Sequence, residues 1–267
     1  MSQETGGGFA LSGARPLGCL LIHGLTATAE EMRPLGEALA ARGFPVRAVC
    51  LAGHGTDLAG LARTGWADWF ASVTDGLARL QAEVPRVAVT GMSLGGLLAL
   101  HLAATRPATV EGLVLCGTPI RLLGTRIRLL PILARLPFVA RRYATIRKAN
   151  GKPDIADPAM RATSQSYPAV PLVAVLELLR LRALVWRELP SVTQPALLLH
   201  GRHDHSVPVT NLEVLRGRLG SRSIETHVLE RSWHVITLDY DREQVAGLTA
   251  AFLERLEAQT AAGDRPG

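Results

Sequence analysis

Six short apolar runs punctuate this chain, and longer helical patterns fill the spaces between them. The runs are GCLLIH (18–23), PVRAVC (45–50), RVAVTG (86–91), GLVLCG (112–117), PALLLH (195–200) and SIETHVL (223–229). The middle ones are nearly continuous in Val and Leu, as expected of strands covered on both faces in a parallel sheet. Helical patterns at about 30–42, 66–82, 94–106, 208–219 and 241–257 supply the connections. This alternation predicts right-handed crossovers and a three-layer α/β domain, a mostly parallel central sheet with helices on both faces. With 267 residues, 48% of them hydrophobic, the chain can bury a core of that size.

One interval interrupts the rhythm. Residues 118–194 hold several helical stretches and no clear strand. TRIRLLPILARLPFVARRYATIRK is apolar and basic, with Pro131 and Pro137 expected to break it, and PLVAVLELLRLRALVWREL reads as a longer helix. An insertion after a strand's carboxyl end stands above the sheet, where open α/β folds bind ligands. The expected organisation is a core of residues 9–118 and 195–262, a helical cap over 119–194, and a frayed, glycine-rich tail at 1–8.

Charge narrows the classes of partner. The net charge of +6 would suit nucleic acid or an anionic membrane, but most basic residues are scattered. The exception is a cluster of Arg121, Arg126, Arg128, Arg135, Arg141, Arg142, Arg147, Lys148 and Lys152, whose last two members are the only lysines of the chain. Aromatics make up 4% and do not interleave with the basic residues, which argues against binding single-stranded nucleic acid. No apolar run is long enough to span a bilayer, and the opening MSQETGGGFALSG lacks the basic and apolar regions of a secretory leader. Cys19, Cys50 and Cys116 are odd in number, lie in strand-like segments and show no metal spacing, so they read as reduced thiols of a cytoplasmic protein.

Chemistry concentrates at VAVTGMSLGGLLALHLAA, residues 87–104. Gly91-Met92-Ser93-Leu94-Gly95 between a strand and a helix forms a Gly-x-Ser-x-Gly nucleophile elbow. The sharp turn projects the Ser93 hydroxyl, Gly91 and Gly95 let strand and helix approach closely, and the Leu94 N–H faces a developing oxyanion. A serine needs a base, and the base needs an orienting acid, in the chain order Ser, acid, His. His234, in the loop between the last strand and the last helix, is the expected base. Asp204, just past PALLLH with Val207-Pro208 opening the next helix, is the expected acid; Asp239 and Asp241 read as helix-start carboxylates. Leu25, after the first apolar strand, offers the second oxyanion N–H. His101 and His227 read as structural, and His23 and His54 as loop-packing residues. His200, His203, Asp204 and His205 have ligand chemistry, but neighbours on a tight loop rarely converge on one ion, so no metal is expected.

With these residues in place, the chain resembles the α/β-hydrolase family, and within it the small bacterial carboxylesterases and monoacylglycerol lipases. LLIHGLTAT, LAGHGTD, TGWADWFASV, VTGMSLGG, GRHDHSVP and SWHVITLD carry the likeness, which runs from about residue 18 to 257. The resemblance implies Ser93 as nucleophile, Asp204 as acid, His234 as base and the amides of Leu25 and Leu94 as oxyanion donors, with no cofactor. Leu25 stands where relatives often carry an aromatic, which implies a different wall to the acyl pocket. The expected activity is hydrolysis of a small-molecule or lipid ester through an acyl-enzyme, the cap supplying an apolar pocket. Acyl transfer with the same triad and a non-catalytic binding role are the other readings. The basic cluster reads as a solvated outer face of the cap or, alternatively, as an Arg-edged stripe resting on lipid interfaces.

Overall fold

The computed structural model describes residues 2–3, 7–121, 144–148 and 151–263. In chain order the first half runs β1 (Ser2–Gln3), β2 (Phe9–Leu11), β3 (Leu17–Ile22), α1 (Arg33–Ala41), β4 (Val46–Val49), α2 (Leu58–Ala62), α3 (Trp66–Gln81), β5 (Arg86–Met92), α4 (Leu94–Thr105) and β6 (Leu113–Cys116). The second half runs β7 (Thr145–Arg147), α5 (Pro158–Thr163), β8 (Ala169–Pro171), α6 (Leu172–Glu188), β9 (Ala196–Gly201), α7 (Asn211–Arg218), β10 (Ile224–Leu229) and α8 (Arg242–Gly263).

All six expected strands join one sheet, in the order β1-β2-β4-β3-β5-β6-β9-β10. The run from β4 to β10 is parallel, and β2 lies antiparallel against the outer side of β4. Side-chain alternation explains why these strands read as continuous apolar runs. Leu20, Ile22, Val89, Leu115 and Leu198 face one cluster with α3, α4 and α6, whereas Cys19, Leu21, Ala88, Val114 and Leu197 face another with α1 and α8. Successive residues therefore bury on opposite faces, and neither face can be polar.

Three expectations are corrected. Within the tail expected to fray, Ser2–Gln3 pairs antiparallel with Phe9–Ala10, because the outer edge of β2 offers unpaired backbone groups. Within the interval expected to hold no strand, β7 and β8 form a small antiparallel sheet, Thr145 opposite Pro171 and Arg147 opposite Ala169. Short strands of this kind carry too little periodicity to stand out. Val207-Pro208 does not open a helix; α7 begins at Asn211, because Asp204 accepts the N–H groups of Ser206 and Val207 and holds that stretch as a loop. The expected long helix is α6, and its Leu181, Val185 and the following Leu189 are fully buried in the core cluster. Pro131, Pro137, Arg126, Arg128, Arg135, Arg141 and Arg142 lie outside the described residues.

Candidate active site

Strand β5 runs straight into α4, and Ser93 is the residue between them. Its backbone stands at φ +53°, ψ −112°, a conformation that costs a side-chain-bearing residue about 1–3 kcal/mol and persists only when the surroundings enforce it. They do so here. The Ser93 N–H donates to the Cys116 carbonyl at 2.8 Å, tying the turn to β6. A Cβ on Gly95 would run into the Ile22 carbonyl, and one on Gly91 into the Gly95 carbonyl. The glycines flanking the serine thus answer a packing demand, and Met92 is buried beside it.

The three residues expected to act together are brought together. His234 Nε2 lies 3.0 Å from Ser93 Oγ, and His234 Nδ1 lies 2.7 Å from Asp204 Oδ2. With Nδ1–H donating to the carboxylate, Nε2 is free to accept the serine proton. The Asp204 side chain is fully buried. Burial works to raise its pKa, but the charge of His234 and hydrogen bonds from His200 and His234 outweigh it and hold the group well below the ordinary carboxylate range. Burial likewise works to lower the pKa of His234; Asp204, then Asp154 and Glu31, outweigh it and leave the imidazole raised.

The Leu25 and Leu94 N–H groups have no hydrogen-bond partner among the described residues. Leu94 opens α4, so the positive end of that helix faces the serine. The loop bearing Leu25 is fixed from below. His23 Nδ1–H donates to the Gly24 carbonyl at 2.8 Å while Nε2 accepts the Leu51 N–H at 3.1 Å. Burial, reinforced by His54, pushes the His23 pKa down to about 3, so the ring is neutral. His54 packs edge-on against both His23 and Trp69. His101 pairs with Glu188 and His227 with Glu225.

Several participants had no sequence signal. Glu31 is buried and accepts the Gly24 N–H at 2.9 Å, fixing the residue before Leu25. His200 stands behind the acid, with Nε2 3.0 Å from Asp204 Oδ2 and 2.9 Å from the Val207 carbonyl. Of the four residues weighed as metal ligands, His200 serves Asp204, and His205 turns away to Asp154 at 2.8 Å. Asp239 is corrected from a helix-start carboxylate to a buried brace. It accepts N–H groups from Trp233 and Tyr240 in the histidine loop and from Ala156 and Asp157 in the insertion. Asp241 adjoins α8 but accepts from Arg231 N–H and the Ser232 hydroxyl.

A cavity of about 600 Å³ opens over Ser93. Leu25, Met92, Trp233 and Val235 line it from the core; Lys148, Lys152, Asp154, Arg161 and Ser166 line it from the insertion. The basic cluster is thereby split. Arg121, Arg147 and Lys152 are exposed, as a solvated face requires, whereas Lys148 is partly buried, lines the cavity and is corrected from that face; Lys152 lines the cavity as well. Asp154, two residues past Lys152, is held by His205 and Ser206.

Strand order, elbow and histidine loop together define an α/β-hydrolase. Residues 17–241 match the family described as serine aminopeptidase, S33. The chain is 33% identical over 252 residues to a thermostable monoacylglycerol lipase of Bacillus sp. (strain H-257), covering 90% of this chain and 91% of the relative. It is 30% identical over 240 residues to a carboxylesterase of Bacillus subtilis (strain 168), covering 89% and 92%. A solved structure from work on two metagenome-derived lipolytic enzymes superposes with a TM-score of 0.84 at 29% identity, covering 93% of this chain and 97% of the other. The chain belongs to this family and is a hydrolytic enzyme of the α/β-hydrolase class. Among the described residues no helix is long and apolar enough to cross a membrane.

Proposed function

We propose that the chain is a serine carboxylesterase, acting on carboxylic esters through an acyl-enzyme on Ser93. The observation that carries this is the continuous chain from Asp204 through His234 to Ser93 Oγ, at 2.7 and 3.0 Å, beside two unengaged amide N–H groups. His234 takes the hydroxyl proton as Oγ attacks the ester carbonyl, and the N–H groups of Leu25 and Leu94 hold the oxyanion. Collapse expels the alcohol, which His234 protonates. Water then enters, loses its proton to His234 and releases the acid. Each oxyanion donor contributes about 3–4 kcal/mol in comparable sites. The chemistry uses no metal and no organic cofactor.

In this reading residues 119–194 cap a core formed by 9–118 and 195–262, and the cap selects the substrate. Monoacylglycerol lipase activity is the second reading, favoured by the Bacillus relative that carries that name at 33% identity.

The test is hydrolysis of p-nitrophenyl esters from acetate to palmitate by wild type and Ser93→Ala. Loss of about 10⁴-fold or more in the variant, with the fold intact, is expected of a nucleophile. Activity that persists in Ser93→Ala would sink the proposal.

A further inference from the structure

Lys148 is a charged group that lines the cavity over Ser93 and has almost nothing to bond among the described residues. It is partly buried between β7 and the cavity over Ser93. Among the described residues its Nζ donates one hydrogen bond, to Ser166 Oγ at 2.5 Å, and an ammonium has three protons to place. Among the described residues it has no ion pair. The two carboxylates that share the cavity are engaged elsewhere. Glu31 Oε1 takes the Gly24 N–H, and Asp154 takes His205 and Ser206. The sequence rules out a further internal partner from the insertion, since residues 122–143 contain no Asp or Glu.

A second positive charge, Lys152, lines the same cavity and is exposed, also without an ion pair among the described residues. The third, Arg161, is occupied: it donates to the carbonyls of Ile155 and Ala156 and stacks over Trp233. Burial pushes the Lys148 ammonium down to about 8 against the pull of Glu31 and Asp154, which marks a charge that its surroundings solvate poorly. Such a group gains most from an anion brought in by a ligand.

Ser166, which accepts from Lys148, lies 3.3 Å from the Thr26 carbonyl, and Thr26 follows Leu25 in the proposed oxyanion loop. The ammonium is thus tied to the loop that would grip the reacting carbonyl. We infer that Lys148 determines specificity, holding a carboxylate on the substrate, so that the preferred substrates are esters that also bear a free carboxylate. This rests on the ester-hydrolase reading and names its substrate class.

Two matched pairs of esters test it and separate the sides of the ester. Mono-p-nitrophenyl glutarate against p-nitrophenyl pentanoate places the carboxylate on the acyl side. 4-(Butanoyloxy)benzoate against 4-(butanoyloxy)benzamide places it on the alcohol side. The readout is the ratio of kcat/KM for charged over neutral ester, because a ratio cancels any difference in folded fraction. Wild type is expected to favour one charged ester by about tenfold or more. Lys148→Met should lower that ratio by about 10- to 100-fold, and Lys148→Arg should retain most of it. Ratios near one in wild type, or a ratio unchanged in Lys148→Met, would overturn the inference. A wild type that cleaves none of the four esters would count against the ester-hydrolase reading instead. Calorimetric titration with glutarate then decides on Lys148: binding lost in Lys148→Met supports it, and no binding to wild type overturns it.

Discussion

Around Leu20, Val89 and Leu198 the sheet is held by apolar side chains buried on both faces. The segment from Gly151 to Ser166 is seated differently. Asp239 grips the Ala156 and Asp157 N–H groups, Arg242 pairs with Asp157 at 3.2 Å, and Asp154 binds His205 and Ser206. Its apolar contribution is a small cluster of Ile155, Val235 and Leu238, with Met160 against it. Close packing fixes backbone positions to fractions of an ångström, which is what a strained nucleophile requires. Directional polar bonds add less stability but choose a single seat, which is what a cavity wall requires. Apolar packing thus positions Ser93, and polar bonds position the cavity wall in front of it.

The sharpest way to break this division is at Asp204, the carboxylate of the core that is hydrogen-bonded to His234. Asp204→Asn keeps the shape but reverses the preference for which imidazole nitrogen carries the proton. A fall in kcat of about 10⁴-fold is expected in steady-state ester hydrolysis, with the melting temperature little changed. A fall of only a few-fold would move the acid elsewhere.

Packing at the elbow is tested by Gly95→Ala. The new methyl would meet the Ile22 carbonyl, which is backbone of a central strand and cannot yield cheaply. A loss of about 2–4 kcal/mol in denaturant unfolding is expected, together with lost activity.

The brace between the two regions comes next. Asp239 is fully buried and accepts four N–H groups. Asp239→Asn turns an NH₂ toward two of those donors, so a loss of about 2–4 kcal/mol is expected, smaller than for outright truncation. Because Trp233 adjoins His234, kcat should fall along with stability. Unchanged kinetics would show that the insertion and the histidine loop are seated independently.

Acidity gives the smallest effect. The proposed base must be neutral to act, and His234 is raised above the ordinary 6.5. Activity should therefore be full at alkaline pH and fall on acidification, with the midpoint of kcat/KM above 6.5. Asp154, an insertion residue, contributes to that rise. Asp154→Asn should move the midpoint down by about a fraction of a pH unit. No movement would confine the electrostatics of the base to the core.

Much of this arrangement is legible in the residues. A run such as PALLLH declares a two-faced strand because burial on both sides leaves no polar position. The elbow is legible because Gly91 and Gly95 are the glycines that close packing demands around a projecting serine. Asp204 and His234 follow from their places after β9 and β10, since loops at the carboxyl edge converge over the sheet. The β7–β8 pair was not legible, being three residues per strand with no room for a period to show.

Lys148 marks the limit. In the sequence it is one member of a basic cluster, and nothing local separates it from its neighbour Arg147; one lines the cavity and the other is exposed. Glu31, His200 and Asp239 are similar cases, since each acts through a partner whose identity depends on how loops fold back. Hydrophobic pattern and turn chemistry are local and repeat along the chain, so the amino-acid order by itself determined the sheet, the elbow and the chain order of Ser93, Asp204 and His234. A hydrogen bond depends on a distance of about 3 Å between groups that the order leaves far apart. Only tertiary structure could decide that Asp239 ties residues 156 and 157 to the histidine loop, and that Lys148 lines the same cavity as Ser93.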